Sequence, residues 1–313
     1  MPHVIGIDLW GTKTAAAVVA DDGTLLLSRT APTPSTLAPR PVLDTAARLV
    51  EELRQEAEAR GVAVGAVGVG AAGVIDPGRG IVTSATDSIR GWAGTRITDE
   101  LTLRTGLPSA ALNDVHAHAL GESWLGAGAG AESVLFVGIG TGVGGGYVLA
   151  GECVRGANFT AGHLGHFASP SAYESGAPLA CSCGGEGHVE AIASGPAIFS
   201  LFQRLGGGPA EDTKGVYQLA AAGHPVASAA MDRGASAAGQ AIGGLTNILD
   251  PHVVVVGGGL AFAGPLWWDA MERAARKEML APVSRVPLVA AQLGESAAIL
   301  GAARTAAPRV TNP

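Results

Sequence analysis

Aromatic residues make up only 4 % of this 313-residue chain and charged residues 15 %, and lysine occurs only at Lys13, Lys214 and Lys277. With so few cations and a net charge of -7, the surface is not built to neutralise phosphates, and no nucleic-acid partner is expected. Scarce aromatics leave the cores to Ala, Val, Leu and Ile at close backbone spacing. Three cysteines, Cys153, Cys181 and Cys183, are too few and too clustered for a disulfide framework, so a reduced, cytoplasmic setting is expected. No basic segment or cleavage site precedes Val4-Ile5-Gly6-Ile7-Asp8, and the chain reads as mature protein. One uncharged run, Ser133 to Gly151, is long enough to span a bilayer. Its glycines at 138, 140, 142, 144, 145 and 146 disfavour a helix, so no membrane segment is expected.

Glycine, by contrast, is abundant at 47 residues, and hydrophobic residues reach 47 %, which excludes a disordered chain. The length suits roughly two domains, each with its own core. Val4-Ile5-Gly6-Ile7-Asp8-Leu9-Trp10-Gly11-Thr12 recurs in outline as Phe136-Val137-Gly138-Ile139-Gly140-Thr141-Gly142-Val143-Gly144, and each copy runs on into a second strand, Thr14 to Val19 and Gly146 to Ala150. Two copies of strand, phosphate-sized turn and strand predict two similar domains facing a shared cleft. Apolar spacings of three and four predict a helix over Val42 to Arg60, ended by Gly61, before a buried strand at Val62 to Val69. A second helix, after the Thr95 to Thr105 segment, leads to a strand at Ser109 to Leu112, and Asn113-Asp114 caps a helix over Val115 to Leu125. Further helices are expected at His188 to Leu205, Val226 to Leu249, Leu266 to Leu280 and Glu295 to Ala306. A strand at His252 to Val256 opens onto Gly257-Gly258-Gly259. The strand-helix alternation makes the fold class α/β.

Gly6 to Lys13 nearly spells a P-loop, but Thr-Lys follows Gly11 where Lys-Ser/Thr is required. A hairpin turn remains whose amides, Thr12 hydroxyl and Lys13 charge can cradle a phosphate. Alone, such a turn is commonly just a turn. A second at Gly140-Thr141-Gly142 and a third at Gly257-Gly258-Gly259 make a nucleotide site the better reading, the third admitting a flat base or ribose against bare backbone.

These three turns, Asn113-Asp114, Gly73-Val74-Ile75-Asp76 with Gly91-Trp92, the Gly156 to His166 segment and Cys181-Ser182-Cys183-Gly184-Gly185-Glu186-Gly187-His188-Val189-Glu190 together resemble the ROK family over essentially the whole chain. That family holds sugar kinases and sugar-responsive repressors and is similar in fold to actin and the chaperone ATPases. The resemblance implies two ribonuclease-H-like lobes around a central cleft: 1–112 as a small lobe, with 295–313 returning to it, and 113–294 as a large lobe. It implies a hexokinase- or glucokinase-type phosphotransferase moving phosphate from ATP to the 6-hydroxyl of a hexose. Asp114 would be the general base, Asn113, His163, His166 and Glu190 would join it at the sugar, and Asp8 would sit near magnesium (Mg2+) at the phosphates. His166, Cys181, Cys183 and His188 would hold a structural zinc (Zn2+), His188 standing where relatives usually have a third Cys; the alternatives are a loop without metal or His163 as substitute ligand.

Four departures from the family surround these sites. Trp10 replaces a Gly of the phosphate turn, Leu112 a Glu, His116 an Asn, and His163 a Glu that in glucokinase-like members binds the sugar's 2- and 3-hydroxyls. An imidazole, with one donor and one acceptor, does not recognise the same ring edge as a carboxylate. The substrate is therefore left between glucose and a derivative altered near carbon 2 or 3, such as kanosamine or a cyclitol, which family members of antibiotic biosynthesis phosphorylate. A repressor would carry a helix-turn-helix before the phosphate turn, which here begins within ten residues; a non-catalytic sugar sensor is the other alternative. The Ala-rich stretch Ala227 to Leu249 suits a homodimer interface as well as a core.

Overall fold

The computed structural model describes residues 3–86 and 88–311. The chain forms two compact units, the first made of residues 1–130, 151–161 and 295–313 and the second of 131–150 and 162–294. The boundary thus differs from the expected break after residue 112: the helix that follows Asn113 packs on the C-terminal helix within the first unit. Among the described residues, no helix is long and apolar enough to cross a membrane.

In chain order, the first unit contains β1 (His3–Leu9), β2 (Lys13–Val19), β3 (Leu25–Pro32), α1 (Pro39–Ala59), β4 (Val64–Ala71), β5 (Val74–Asp76), β6 (Ile81–Ser84), α2 (Ile97–Thr105), β7 (Ser109–Asn113) and α3 (Asp114–Leu125). Its five-stranded sheet has the order β3-β2-β1-β4-β7, with β1, β2 and β3 antiparallel and β4 and β7 parallel to β1. β1 and β2 are buried at every position but their first residue, which is why they read as unbroken apolar runs. α1 buries Val42, Leu43, Ala46, Leu49, Val50, Leu53 and Ala57, the stripe that its spacing predicts. It starts three residues earlier than expected because prolines are tolerated in a helix's first turn.

The second unit holds β8 (Ser133–Ile139) and β9 (Val143–Leu149). After the short β10 (Glu152–Cys153), which falls in residues of the first unit, come β11 (Tyr173–Glu174), β12 (Ala177–Pro178), α4 (Glu190–Ala193), α5 (Gly195–Arg204), α6 (Thr213–Ala221), α7 (Pro225–Leu249), β13 (Val253–Gly257), α8 (Pro265–Glu278) and β14 (Leu288–Ala290). Its strands lie in the order β9-β8-β13-β14, β9 antiparallel and β13 and β14 parallel. This is the arrangement of β2-β1-β4-β7, so the repeat seen in sequence is a repeat of sheet topology. The fold is α/β with two ribonuclease-H-like lobes of the actin-like ATPase kind. Each lobe has a separate core; α7 lines the second with Ala230, Met231, Ala235, Ala238 and Ile242.

The helix expected at His188 to Leu205 is instead two. Ser194 is extended, and its Oγ accepts from the Ala197 N–H to start α5, with Pro196 in the first turn. The last helix, α9 (Ser296–Thr311), returns to pack on β1, β4 and α3. That packing is backbone against backbone: a Cβ on Gly68 would run into the Ala302 carbonyl.

Candidate active site and metal centre

The parallel strands β1, β4 and β7 end together, with Asp8 opposite Gly70, Gly70 opposite Leu112 and Ala71 opposite Asn113. Carboxyl ends of parallel strands are where α/β sheets place their chemistry. Asn113 is the N-cap of α3: its Oδ1 accepts from the Val115 and His116 amides at 3.0 and 3.2 Å, while its Nδ2 donates to the Gly73 carbonyl at 2.9 Å and to Asp114 Oδ1 at 2.8 Å. Asp114 Oδ1 also accepts from the Val115 N–H at 2.8 Å. Burial pushes the Asp114 carboxyl up to about 6, against the downward pull of these two donors. A carboxylate poised there can take a proton near neutral pH.

Asp8 is also buried, and its Oδ1 has no hydrogen-bond partner. Burial, reinforced by the charge of Asp114, pushes its carboxyl up to about 7, while the Trp10 side chain and Lys13 pull it down. The turn between β1 and β2 closes with the Trp10 N–H on the Lys13 carbonyl, leaving Gly11 and Thr12 at its tip. Trp10 is 40 % exposed and stands edge-on to His118, so the indole flanks the turn without being swallowed by the core. Lys13 Nζ pairs with Glu295 at 2.8 Å, both side chains exposed. Such a surface pair contributes about 0–1 kcal/mol and yields readily to a phosphate. His116, buried, donates from Nε2 to the Ala161 carbonyl at 2.6 Å, just ahead of Gly162-His163.

In the second unit, β8 and β13 are neighbours with Gly138 opposite Gly257, so the turns at 140–142 and 257–259 leave one sheet edge side by side. Gly258 has φ +79°, and a Cβ there would strike the Ile139 carbonyl, so only glycine fits. The first turn is braced at both ends: Gly195 N–H donates to the Gly140 carbonyl at 2.8 Å, and Val143 N–H to Glu190 Oε2 at 2.8 Å. Glu190 Oε1 accepts from the Ser182 hydroxyl. Ser182 and Val143 both stand inside sequence motifs, but no role could be read for either until the fold brought them to Glu190.

His166, Cys181, Cys183 and His188 converge, with one ligand atom of each lying within 4.8 Å of all the others. His166 Nδ1 is 3.6 Å from Cys181 Sγ, and His188 Nδ1 is 3.3 Å from Cys183 Sγ. The edges of a tetrahedral zinc site with such ligands measure roughly 3.3–3.8 Å, so the donor set fits the metal with little movement. Burial raises the Cys181 thiol pKa, which a bound cation would reverse. His163 begins the short turn Leu164–His166 and contributes none of the four atoms. Of the expected residues, Asp8, Gly11, Thr12, Lys13, Asn113 and Asp114 thus lie in the first unit. His163, His166, Glu190, the metal ligands and the other two turns lie in the second.

Comparison with known proteins agrees with the two-lobed fold. The crystal structure of a ROK hexokinase from Thermus thermophilus superposes with a TM-score of 0.85 at 37 % identity, covering 99 % of this chain and 100 % of that one. A ROK family glucokinase from Streptomyces griseus, in complex with glucose and AMPPNP, gives 0.79 at 32 % identity, covering 96 % and 98 %. The glucokinase of Thermotoga maritima is 33 % identical over 321 residues, with 98 % of each chain covered. Fold and likeness define a phosphotransferase of the hexokinase and glucokinase type. The sequence pattern of the ROK family matches residues 4–308, and the chain belongs to that family.

Proposed function

We propose that this phosphotransferase moves the γ-phosphoryl group of ATP to the 6-hydroxyl of a hexose or hexose derivative. The observation that carries the reading is Asp114: buried at the start of α3, held by the Asn113 amide and the Val115 N–H, with its carboxyl near 6. As the sugar O6 attacks phosphorus, Asp114 takes its proton, the bond to the β–γ bridging oxygen breaks and ADP leaves. Phosphoryl transfer asks mostly for positioning and charge stabilisation. The amides of Gly11, Gly140, Thr141 and Gly142, the Thr12 hydroxyl and the Lys13 charge would hold phosphates, and Gly257, Gly258 and Gly259 the base or ribose. Asp8, with its unpartnered buried oxygen, fits a water-mediated magnesium site. When bound, magnesium neutralises charge that develops on the phosphates.

Asn113, His163, His166 and Glu190 would join Asp114 at the sugar. With Nδ1 of His166 turned to the metal cluster, its Nε2 carries the proton and can donate to a hydroxyl. Zinc held by His166, Cys181, Cys183 and His188 would be structural, since four protein donors leave no open position. A cytoplasmic setting would keep the thiols reduced, and the proposed homodimer rests on the Ala-rich run of α7.

In this reading His163 meets the sugar edge at carbons 2 and 3, and glucose and a modified sugar such as kanosamine stand level as substrates. The test is a phosphorylation panel of glucose, mannose, glucosamine, N-acetyl sugars, kanosamine and a cyclitol, run on the natural chain and on His163→Glu. Preference of the natural chain for a derivative would establish the specialised substrate, and His163→Glu should move the preference toward glucose. Robust preference of the natural chain for glucose would sink the specialised substrate. Sugar binding without transfer to any acceptor would instead make the protein a sensor.

A further inference from the structure

We infer that Ser182 is a positioning residue that, through the Glu190 carboxylate, fixes the Gly140–Gly142 turn and so sets the affinity for nucleotide. The inference rests on the reading of that turn as a phosphate holder. Glu190 is buried at the first position of α4, and both of its oxygens are committed. Oε2 accepts from the Val143 amide, the last group of the turn, at a place where a Cβ on Gly142 would come within 2.7 Å. Oε1 accepts from the Ser182 hydroxyl, with Cys181 Sγ 3.9 Å away. Ser182 lies between the two cysteines of the metal cluster, so the carboxylate ties the cluster's loop to the turn.

Physical chemistry gives this tie a direction. A buried carboxylate bonded on one oxygen only would be free to swing about its side-chain torsion, and a charge-assisted bond to a buried amide is strong only while its geometry is held. Removing the Ser182 hydroxyl frees that rotation and loosens the Val143 amide, while all four metal ligands stay. The effect therefore falls first on the turn and leaves zinc content in place, with a smaller effect at the sugar through the contact Glu190 would make there. The opposite expectation follows if Glu190 serves the sugar alone.

The experiment uses the full, zinc-loaded chain with Ser182→Ala and Ser182→Thr, zinc content being measured in each. Hydrogen exchange of the Val143 amide should speed up roughly tenfold in Ser182→Ala and return toward the natural rate in Ser182→Thr, which keeps the hydroxyl. In steady-state assays, Ser182→Ala should raise KM for ATP about tenfold, and by more than it raises KM for sugar. Unchanged exchange at Val143 overturns the Ser182 link itself. Faster exchange with unchanged ATP affinity overturns the phosphate role of the turn. A raised sugar KM with unchanged exchange assigns Glu190 to the sugar and overturns the inference.

Discussion

At Asp114 and Asp8, burial does two things at once: it raises each carboxyl into the range useful for proton transfer, and it makes ionisation costly to the fold. A carboxyl whose folded value is about 6 against an ordinary 3.8 keeps its proton in the native state over a window where the unfolded chain has lost it. Stability from that group is complete below pH 3.8 and is lost as pH rises through about 6, so the protein should weaken from mildly acidic to neutral pH. Asp114→Asn cannot ionise and should escape this loss. In urea unfolding it should be more stable than the natural chain by up to about 3 kcal/mol at pH 7.5, with the difference gone near pH 4. The same variant should lose turnover by about 100- to 10,000-fold while sugar binding, measured by calorimetry, persists. Unchanged turnover removes Asp114 from the role of base. Asn113-Asp114 was visible in the sequence as a cap, but its companions were not. The orphaned oxygen of Asp8 and the Trp10 side chain beside it depend on which strands share an edge.

At the scale of elements, the units are assembled through close backbone contacts that particular glycines permit. Gly68→Ala forces a Cβ into the carbonyl of Ala302 on α9, with backbone on both sides and no flexible end to give way. Gly244 on α7 has nothing within 4 Å and no unusual backbone angle. The two substitutions should have opposite signs, Gly68→Ala costing roughly 2 kcal/mol or more and Gly244→Ala adding roughly 0.5–1 kcal/mol, as read from urea midpoints. Composition alone does not tell these glycines apart. The hairpins β1–β2 and β8–β9 were legible because their apolar runs and turns are strongly patterned, and α1 because its stripe is regular. The break between α4 and α5 was not, since an apolar helical run crosses it and only Ser194-Gly195-Pro196 marks the restart. β14 has three residues, too few for any period to show.

At the scale of the molecule, two separate cores predict that heat unfolding is not one all-or-none step. Calorimetry should resolve two transitions. The metal cluster lies wholly in the second unit, so a zinc chelator should lower one midpoint by several degrees and leave the other within about one degree. Equal shifts in both, or in neither, would count against a structural metal confined to that unit. The return of α9 to the first unit also reaches into the life of the nascent chain. Residues 1–130 leave the ribosome first, yet the helix that covers Gly6 and Gly68 is translated only after residue 294. The strands and helices of the second unit all precede α9 in the chain, so the first unit keeps a sheet face uncovered until α9 is made. A chain stalled before α9 would leave Asp8 and Asp114 on a unit whose sheet is still uncovered.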